Sequence, residues 1–279
     1  MTLAAPARLV LRSPSGDRLD CRAVDERTAR SAAELALSAA AGPRAVGRPV
    51  QLDGMDAWLK ASPLRGSAGL RYTLRRTLLR LDAPREREYA NLEWLRREGF
   101  QAPRPLAVGT LARRGRIVWQ FLLLKRLEHA QPLVDCLPGA AQAERAELLA
   151  ELAREVARLH ALRFIHHDLH LRNVLVGAAP PASDARRLWF VDAWRGGPRY
   201  ALRGPAYDLA CLMLHGEGLI SALERERWIE LYLEQRSAHG RPADRARLLR
   251  GARAQHARLV RQLARAPGRW REPRPPTRW

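Results

Sequence analysis

The sequence predicts an α+β fold of two lobes, a small β-rich N-terminal lobe and a mostly helical C-terminal one. Three observations carry this. Two strand-like runs, Pro49 to Leu52 and Met55 to Ala61, flank Asp53-Gly54, and a helical pattern from Pro84 to Glu98 follows them. The apolar run Val118 to Leu124 ends in Lys125-Arg126-Leu127-Glu128, which reads as the crossing into the second lobe. An amphipathic segment over residues 142–162 then runs into His166-His167-Asp168-Leu169-His170-Leu171-Arg172-Asn173-Val174-Leu175-Val176. The expected divisions are residues 1–125 (a sheet plus one helix covering a nucleotide), 126–266 (catalytic loop and metal-binding acid) and 267–279 (a basic, Pro-rich tail).

The last of those stretches organises the chain. An aspartate, an asparagine five positions on and then an apolar run have the spacing of a kinase catalytic loop, so the two lobes are expected to be protein-kinase-like. Nineteen residues after Asn173, the apolar Leu188-Trp189-Phe190-Val191 delivers a second acid, Asp192, at a strand end. A phosphoryl acceptor hydroxyl needs a carboxylate to orient it and take its proton, the role assigned to Asp168. Nucleotide phosphates travel with Mg²⁺, a hard cation that takes oxygen ligands, and Asn173 and Asp192 supply them. The competing reading is a metal cluster of His166, His167 and His170, or acids that merely cap turns.

From the N-terminus, Leu9 to Arg12 and Arg18 to Val24 read as strands around a Pro14-Ser15-Gly16-Asp17 turn, and residues 28–40 as an Ala-rich helix. The Asp53-Gly54 hairpin places Lys60 on its second strand, where a kinase lysine reaches the α- and β-phosphates. The alternative is an edge-strand solubility lysine. No glycine-rich phosphate loop is evident, since Gly42 and Gly47 lie in Gly-Pro-Arg-Ala-Val-Gly. Leu64 to Arg71 reads as a flexible basic loop. On the helix opened by Pro84, apolar Tyr89, Leu92 and Leu95 recur at helical spacing, and Glu88 precedes Tyr89 on that buried side, where it can pair with Lys60. Glu86 and Glu93 are the other candidates, and Lys125 is expected in solvent. His166 and Asp208 are expected as structural supports, Asp208 either capping its helix or reaching the catalytic-loop backbone. Residues 243–265 read as a basic helix, and with the Pro-rich tail they suit peripheral contact with an anionic membrane surface; the alternative is a packed helix with a solvated basic face.

Composition narrows the partners. The chain has 279 residues, 47% of them hydrophobic, enough for a real core. No apolar run approaches the ~20 residues of a membrane span, and no signal-peptide pattern is seen at the N-terminus, so neither a span nor a leader is expected. Cys21, Cys136 and Cys211 are scattered and odd in number, which fits a reducing cytoplasm. The net charge of +20 calls for an anionic partner. Of 49 basic residues only Lys60 and Lys125 are lysines, so a surviving lysine draws notice. Nucleic acid is the weaker candidate partner, because aromatics are not interleaved with the basic clusters outside the tail.

With these residues placed, the sequence resembles the lipopolysaccharide kinases of Gram-negative bacteria, the Kdo kinase and WaaP-type group. The resemblance runs from about Lys60 to Leu212 and is most specific at His166-x-Asp168-Leu169-x3-Asn173-Val174-Leu175, with further matches at Asp192-x-x-Arg195-Gly196 and Asp208-Leu209-Ala210-x-Leu212. It implies ATP- and Mg²⁺-dependent phosphorylation of an inner-core sugar hydroxyl, Kdo or heptose. It also implies an anionic glycolipid substrate and a cytoplasmic enzyme in peripheral contact with the anionic inner membrane. Arg172 and Arg195, with Arg65, Arg71 and Arg199, are candidates for the substrate's anionic groups. Residues 1–50 match nothing in that pattern, and His167 stands where protein kinases have arginine, which argues against activation-loop regulation. A small-molecule phosphotransferase of the aminoglycoside or choline type, or a silent kinase-like scaffold, is the alternative.

Overall fold

The computed structural model of the chain describes residues 7–14, 16–42, 44–79, 81–177, 188–198, 204–216 and 218–265. The tail, Arg199 and most of the segment between Val176 and Leu188 therefore lie outside the described residues. The chain forms two compact units, one reaching Glu98 and including Pro103–Leu127, the other made of Gly99–Ala102 and the residues from Glu128 on.

The N-terminal unit is built on a six-stranded antiparallel sheet in the order β1-β2-β5-β6-β4-β3, formed by β1 Ala7–Arg12, β2 Arg18–Ala23, β3 Val46–Leu52, β4 Met55–Pro63, β5 Pro105–Arg113 and β6 Arg116–Lys125. The first two strands, which matched no known pattern, extend the sheet beyond β5. Helix α1 (Glu26–Ala40) is capped by Asp25, whose side chain accepts the Thr28 N–H at 2.7 Å. Ala29, Ala32, Ala33, Ala36 and Ala39 point from it into the core with Leu52, Leu59, Leu106 and Leu123. Alanines every three or four residues make a shallow face, so the helix lies close on the sheet. β3 and β4 join through Asp53 and Gly54, both at positive φ (52° and 80°), the geometry of a two-residue hairpin.

Among the described residues this unit carries three helices, not the one the lobe was expected to carry: α1, α2 (Ser67–Leu79) and α3 (Pro84–Arg97). The stretch from Leu64, read as a flexible basic loop, is mostly α2. Its glycines and arginines resemble a loop, and its leucines face away from the sheet, so no buried stripe announces it.

In the C-terminal unit a three-stranded sheet, β7-β8-β9 (Gln131–Pro132, Val174–Val176, Leu188–Phe190), accompanies helices α4 (Leu133–Cys136), α5 (Gln142–Ala161), α6 (Gly204–Gly216), α7 (Ala222–Ala238) and α8 (Arg245–Arg265). α5 packs along α7 and α6 along α8. Leu148, Leu152, Val156 and Leu159 form the buried face of α5; each leucine so buried is worth roughly 1.5–3 kcal/mol of transfer free energy. Arg145 of α5 pairs with Glu224 of α7 and holds that carboxyl down at about 2. Among the described residues no helix is long and apolar enough to cross a membrane. All three cysteines are free.

Candidate active site

The catalytic-loop segment follows directly from the C-terminal end of α5. Phe164 and Ile165 are fully buried, and Ile165 exchanges backbone hydrogen bonds with Gly197 at 3.1 and 3.2 Å. The next residue but one, His167, has a left-handed backbone (φ 59°), a conformation an L-residue holds only when its surroundings fix it. The fixing group is Asp208, on α6. Its Oδ2 accepts the His166 N–H at 2.7 Å and its Oδ1 the His167 N–H at 2.8 Å. Of the two structural roles open to it, Asp208 reaches the catalytic-loop backbone. Leu169, Leu171, Val174 and Leu175 are all fully buried, so the polar residues between them are held on apolar anchors.

Asp208 is itself held in a buried polar line that sequence reasoning did not assemble. His160, in the last turn of α5, faces Asp208 Oδ2 through Nε2 at 3.2 Å and the Tyr232 hydroxyl through Nδ1 at 2.8 Å, and Arg236 Nη1 donates to that hydroxyl at 3.3 Å. Burial lowers the His160 pKa, so its ring is neutral, and burial pushes the Tyr232 phenol up to about 12. The assignment is then forced: Nε2–H donates to the carboxylate, and Nδ1 accepts the Tyr232 O–H. Burial would raise the Asp208 carboxyl, but the hydrogen bonds from His160 and from the His166 N–H hold it below its ordinary value. The available signal was His160 falling on the buried side of α5 one turn after Val156; Tyr232 and Arg236, on α7, offered none.

Asp168 projects from this loop. The Asn173 Nδ2 donates to the Asp168 carbonyl at 2.8 Å and lies 3.4 Å from Oδ2, so the Asn173 nitrogen is committed to Asp168 and its amide oxygen is turned elsewhere. His170, also buried, donates Nδ1–H to the Cys211 carbonyl at 3.0 Å and places Nε2 3.4 Å from Asp168 Oδ1. Burial works to raise the Asp168 carboxyl, yet the contact with His170 and the charge of Arg195 keep it below the ordinary carboxylate value. Asp168 is therefore an ionised acceptor at neutral pH. It can orient a hydroxyl and receive its proton late in the transfer, when that proton has become acidic.

Asp192 follows β9, which pairs antiparallel with β8, the strand that follows Asn173. The Val191 N–H donates to the Asn173 carbonyl at 3.0 Å, and the Val191 carbonyl accepts His166 Nε2–H at 3.1 Å. One residue thus ties the strand before Asp192 to the loop of Asp168 and Asn173. Asp192 has φ 62° and ψ 33°, a left-handed turn into the short helix Ala193–Arg195. Behind it Gly196 is required by contact: a Cβ there would lie 2.7 Å from the Ile165 carbonyl and 3.0 Å from that of His166. Arg195 is exposed and lies over the Trp194 ring at 4.5 Å, while Arg172 is half-buried.

Lys60 lies on β4, which is buried on both sides around it, and its Nζ meets Glu88 Oε1 of α3 at 2.8 Å. Their side chains are 7% and 0% exposed. Arg85, one turn before, takes the other oxygen of Glu88. Glu86 is instead committed to the start of α3, accepting the Ala83 N–H at 2.8 Å and pairing with Arg76 at 3.2 Å, and Glu93 is exposed. Lys125 is exposed too. No phosphate loop emerges from the glycines considered: Gly47 sits in β3 directly opposite Lys60, and Gly42 follows α1.

The donor set suits magnesium. An asparagine oxygen and a carboxylate are hard ligands, and Mg²⁺ sites of this kind take only one or two protein groups and complete the shell with phosphates and water. Among the described residues no three His, Cys, Asp or Glu side chains converge as a metal cage. The three-histidine cluster is not one: His166 and His170 are each committed to backbone carbonyls.

Against known proteins, residues 70–230 match the model of the lipopolysaccharide kinase (Kdo/WaaP) family. The 3-deoxy-D-manno-octulosonic acid kinase of Vibrio vulnificus strain YJ016 is 31% identical over 105 residues, 38% of this chain and 41% of that protein. The kinase of the same name from Vibrio cholerae is 28% identical over the same shares. The chain thus spans about two fifths of the curated relatives it matches. Among solved structures, WaaP in complex with acyl carrier protein is similar in fold, with a TM-score of 0.51 at 17% identity over 80% of this chain and 85% of that one. The kinase-like fold is shared, and the family match runs over more than half the chain, from α2 past Glu88, Asp168, Asn173, Asp192 and Asp208. This chain belongs to the lipopolysaccharide kinase (Kdo/WaaP) family.

Proposed function

We propose that this protein transfers the γ-phosphoryl group of ATP to a sugar hydroxyl of the lipopolysaccharide inner core. The observation that carries the reading is the ionised Asp168, fixed by His170 and Asn173 on a loop whose backbone is held by Asp208. Family membership and the names of the Vibrio relatives support it and make a Kdo hydroxyl the first acceptor to test, with heptose next. Asp168 orients the acceptor hydroxyl and takes its proton. Lys60, held by Glu88, is the fixed cation for the nucleotide phosphates, and the Asn173 oxygen and Asp192 hold magnesium. Bound magnesium supplies charge neutralisation on the phosphates as the bond to the leaving oxygen breaks. His166 supports the loop from Val191, and Arg172 and Arg195 receive anionic groups of the acceptor. The acceptor is an anionic glycolipid, which sets the enzyme on the cytoplasmic side of a membrane, in peripheral contact with it.

The test is one assay with ATP and Mg²⁺ against Kdo–lipid A, heptosylated core, an aminoglycoside and a generic protein. Transfer to the Kdo or heptose acceptor is expected, and transfer to the aminoglycoside alone would replace this reading with a small-molecule phosphotransferase. Asp168→Asn is expected to abolish turnover with ATP binding kept, and Asp192→Asn to weaken Mg²⁺–ATP binding as well. Wild-type rates in both variants would remove the site assignment.

A further inference from the structure

Helix α2 is seated on the sheet by its polar side and leaves its apolar side outward. Gly69 lies so close on β6 that a Cβ would come within 2.6 Å of the Ile117 carbonyl. Thr73 accepts the Ile117 N–H at 2.9 Å through its hydroxyl, which donates to the Gly69 carbonyl at 2.8 Å. Arg76 reaches Thr110 at 2.7 Å and Glu86 at 3.2 Å. Opposite these lies a stripe at i, i+4 and i+8: Leu70, Leu74 and Leu78 are 51%, 47% and 72% exposed. A helix of a globular protein normally turns such a stripe into the core. Here glycine and threonine take the inner positions, and a line of leucines is left in water, continued by the exposed Leu79 and Leu81.

Arg71 and Arg75, each one residue after a leucine of the stripe, are exposed along its edge, and Arg65 is exposed just before the helix. From Ala57 to Leu81 the sequence contains no acidic residue. We propose that the Leu70–Leu74–Leu78 face of α2, flanked by Arg71 and Arg75, docks on the surface of an anionic lipid bilayer. Leucines entering the acyl boundary with arginines at headgroup level is the geometry of an interfacial helix. Charge decides against a second copy of this chain: an isologous pairing would bring the same arginines together on two molecules of charge +20. The proposal deepens the reading above, resting on it for the expectation that the acceptor sits in a membrane, whereas docking itself requires no acceptor.

The test is flotation of the full chain with vesicles of phosphatidylcholine alone or with added phosphatidylglycerol, neither containing glycolipid. Binding is expected on the anionic vesicles and much less on the neutral ones. Leu74→Asp with Leu78→Asp is expected to lower it about tenfold or more. Arg71→Gln with Arg75→Gln is expected to lower it several-fold, most at low salt. Arg253→Gln with Arg258→Gln, on the exposed basic side of α8, is expected to leave it unchanged. Leu78→Asp alone, at the most exposed position, stands in if the double variant unfolds. Phosphorylation of a deacylated, water-soluble core oligosaccharide should be unaffected by the leucine variants, so loss of docking and failure of the kinase reading are separate results. No flotation on either vesicle, or flotation of the leucine variants equal to wild type, would overturn the proposal. So would a wild-type dimer in sedimentation that Leu78→Asp dissolves, because the stripe would then be a protein interface.

Discussion

Replacing Asp208 with asparagine tests how the catalytic loop is held. The carboxylate accepts three hydrogen bonds, from the His166 and His167 N–H groups at 2.7 and 2.8 Å and from His160 Nε2 at 3.2 Å, with no exposure to solvent. The amide can serve one backbone N–H through its oxygen, but its NH₂ then faces a second donor, and that buried N–H is orphaned. Bonds to a charged acceptor are worth about 1.5–3 kcal/mol each, and an orphaned donor costs about 1–3 kcal/mol. Relief of the buried charge offsets part of this. The net expectation is a loss of about 3 kcal/mol, read as a lower midpoint in urea at unchanged m-value. Asp168 begins one residue after the released amides, and a shift of about 1 Å in a reacting group costs about 100-fold. A coupled assay of ADP release should therefore show kcat down about 100-fold with KM for ATP little changed. A loss of stability below about 1 kcal/mol, with kcat within twofold of wild type, would refute the reasoning.

Other perturbations follow from the same geometry. Glu88→Gln removes the buried charge that Lys60 and Arg85 share, so stability should fall by about 3 kcal/mol and KM for ATP should rise, checked by denaturation and by titration with ATP. Gly196→Ala forces a methyl against two carbonyls and should cost about 1–3 kcal/mol, with the melting temperature lowered accordingly. Burial lowers the pKa values of His160 and His166, so the unfolded chain binds protons that the folded one refuses. Stability should be full above the unfolded value near 6.5 and fall as pH drops below it, by at most about 2.7 kcal/mol per pH unit for the pair. Urea titrations between pH 7.5 and 5 check this, and His160→Gln should flatten the slope.

The fold was legible where local chemistry and long-range pairing agree. Asp53-Gly54 announces its hairpin because few residues accept two successive positive φ angles, and that hairpin carries Lys60 into the sheet. Glu88 could be singled out because its neighbour Tyr89 marks the buried side of α3. The spacing of Asp168 and Asn173 exposes their contact, since five residues closing on themselves leave a local trace. β5 leaves a weak trace in the sequence because Pro105 and Gly109 dilute its strand signal, although its central residues are buried on both faces. α2 misleads for the opposite reason: it is a genuine helix whose burial pattern is reversed, and apolar periodicity reports on a core only when the stripe faces one. Tyr232 was invisible because its role is set by His160, 72 residues away, and nothing local to α7 distinguishes it from another helical aromatic.

The line from Arg236 through Tyr232, His160 and Asp208 to two backbone amides also shows why this core is polar. An apolar packing of the same shape would often be as stable or more so, because it spares the desolvation of a carboxylate. It could not, however, hold His167 at φ 59°, since dispersion contacts tolerate a backbone shift of a few tenths of an ångström and hydrogen bonds of 2.7 and 2.8 Å do not. The same reasoning applies on the far side of the loop, where His166 and Val191 fix the strand that turns, again at positive φ, into Asp192. Two left-handed aspartate and histidine residues flank the candidate catalytic acid, and each is secured by buried polar bonds rather than by packing alone. Stability given up in that way is recovered in the apolar anchors, Leu169, Leu171, Val174 and Leu175, which alternate with the functional residues along one short stretch of chain. The loop is therefore rigid for two independent reasons, so a variant that removes one should misplace Asp168 without unfolding the unit around it.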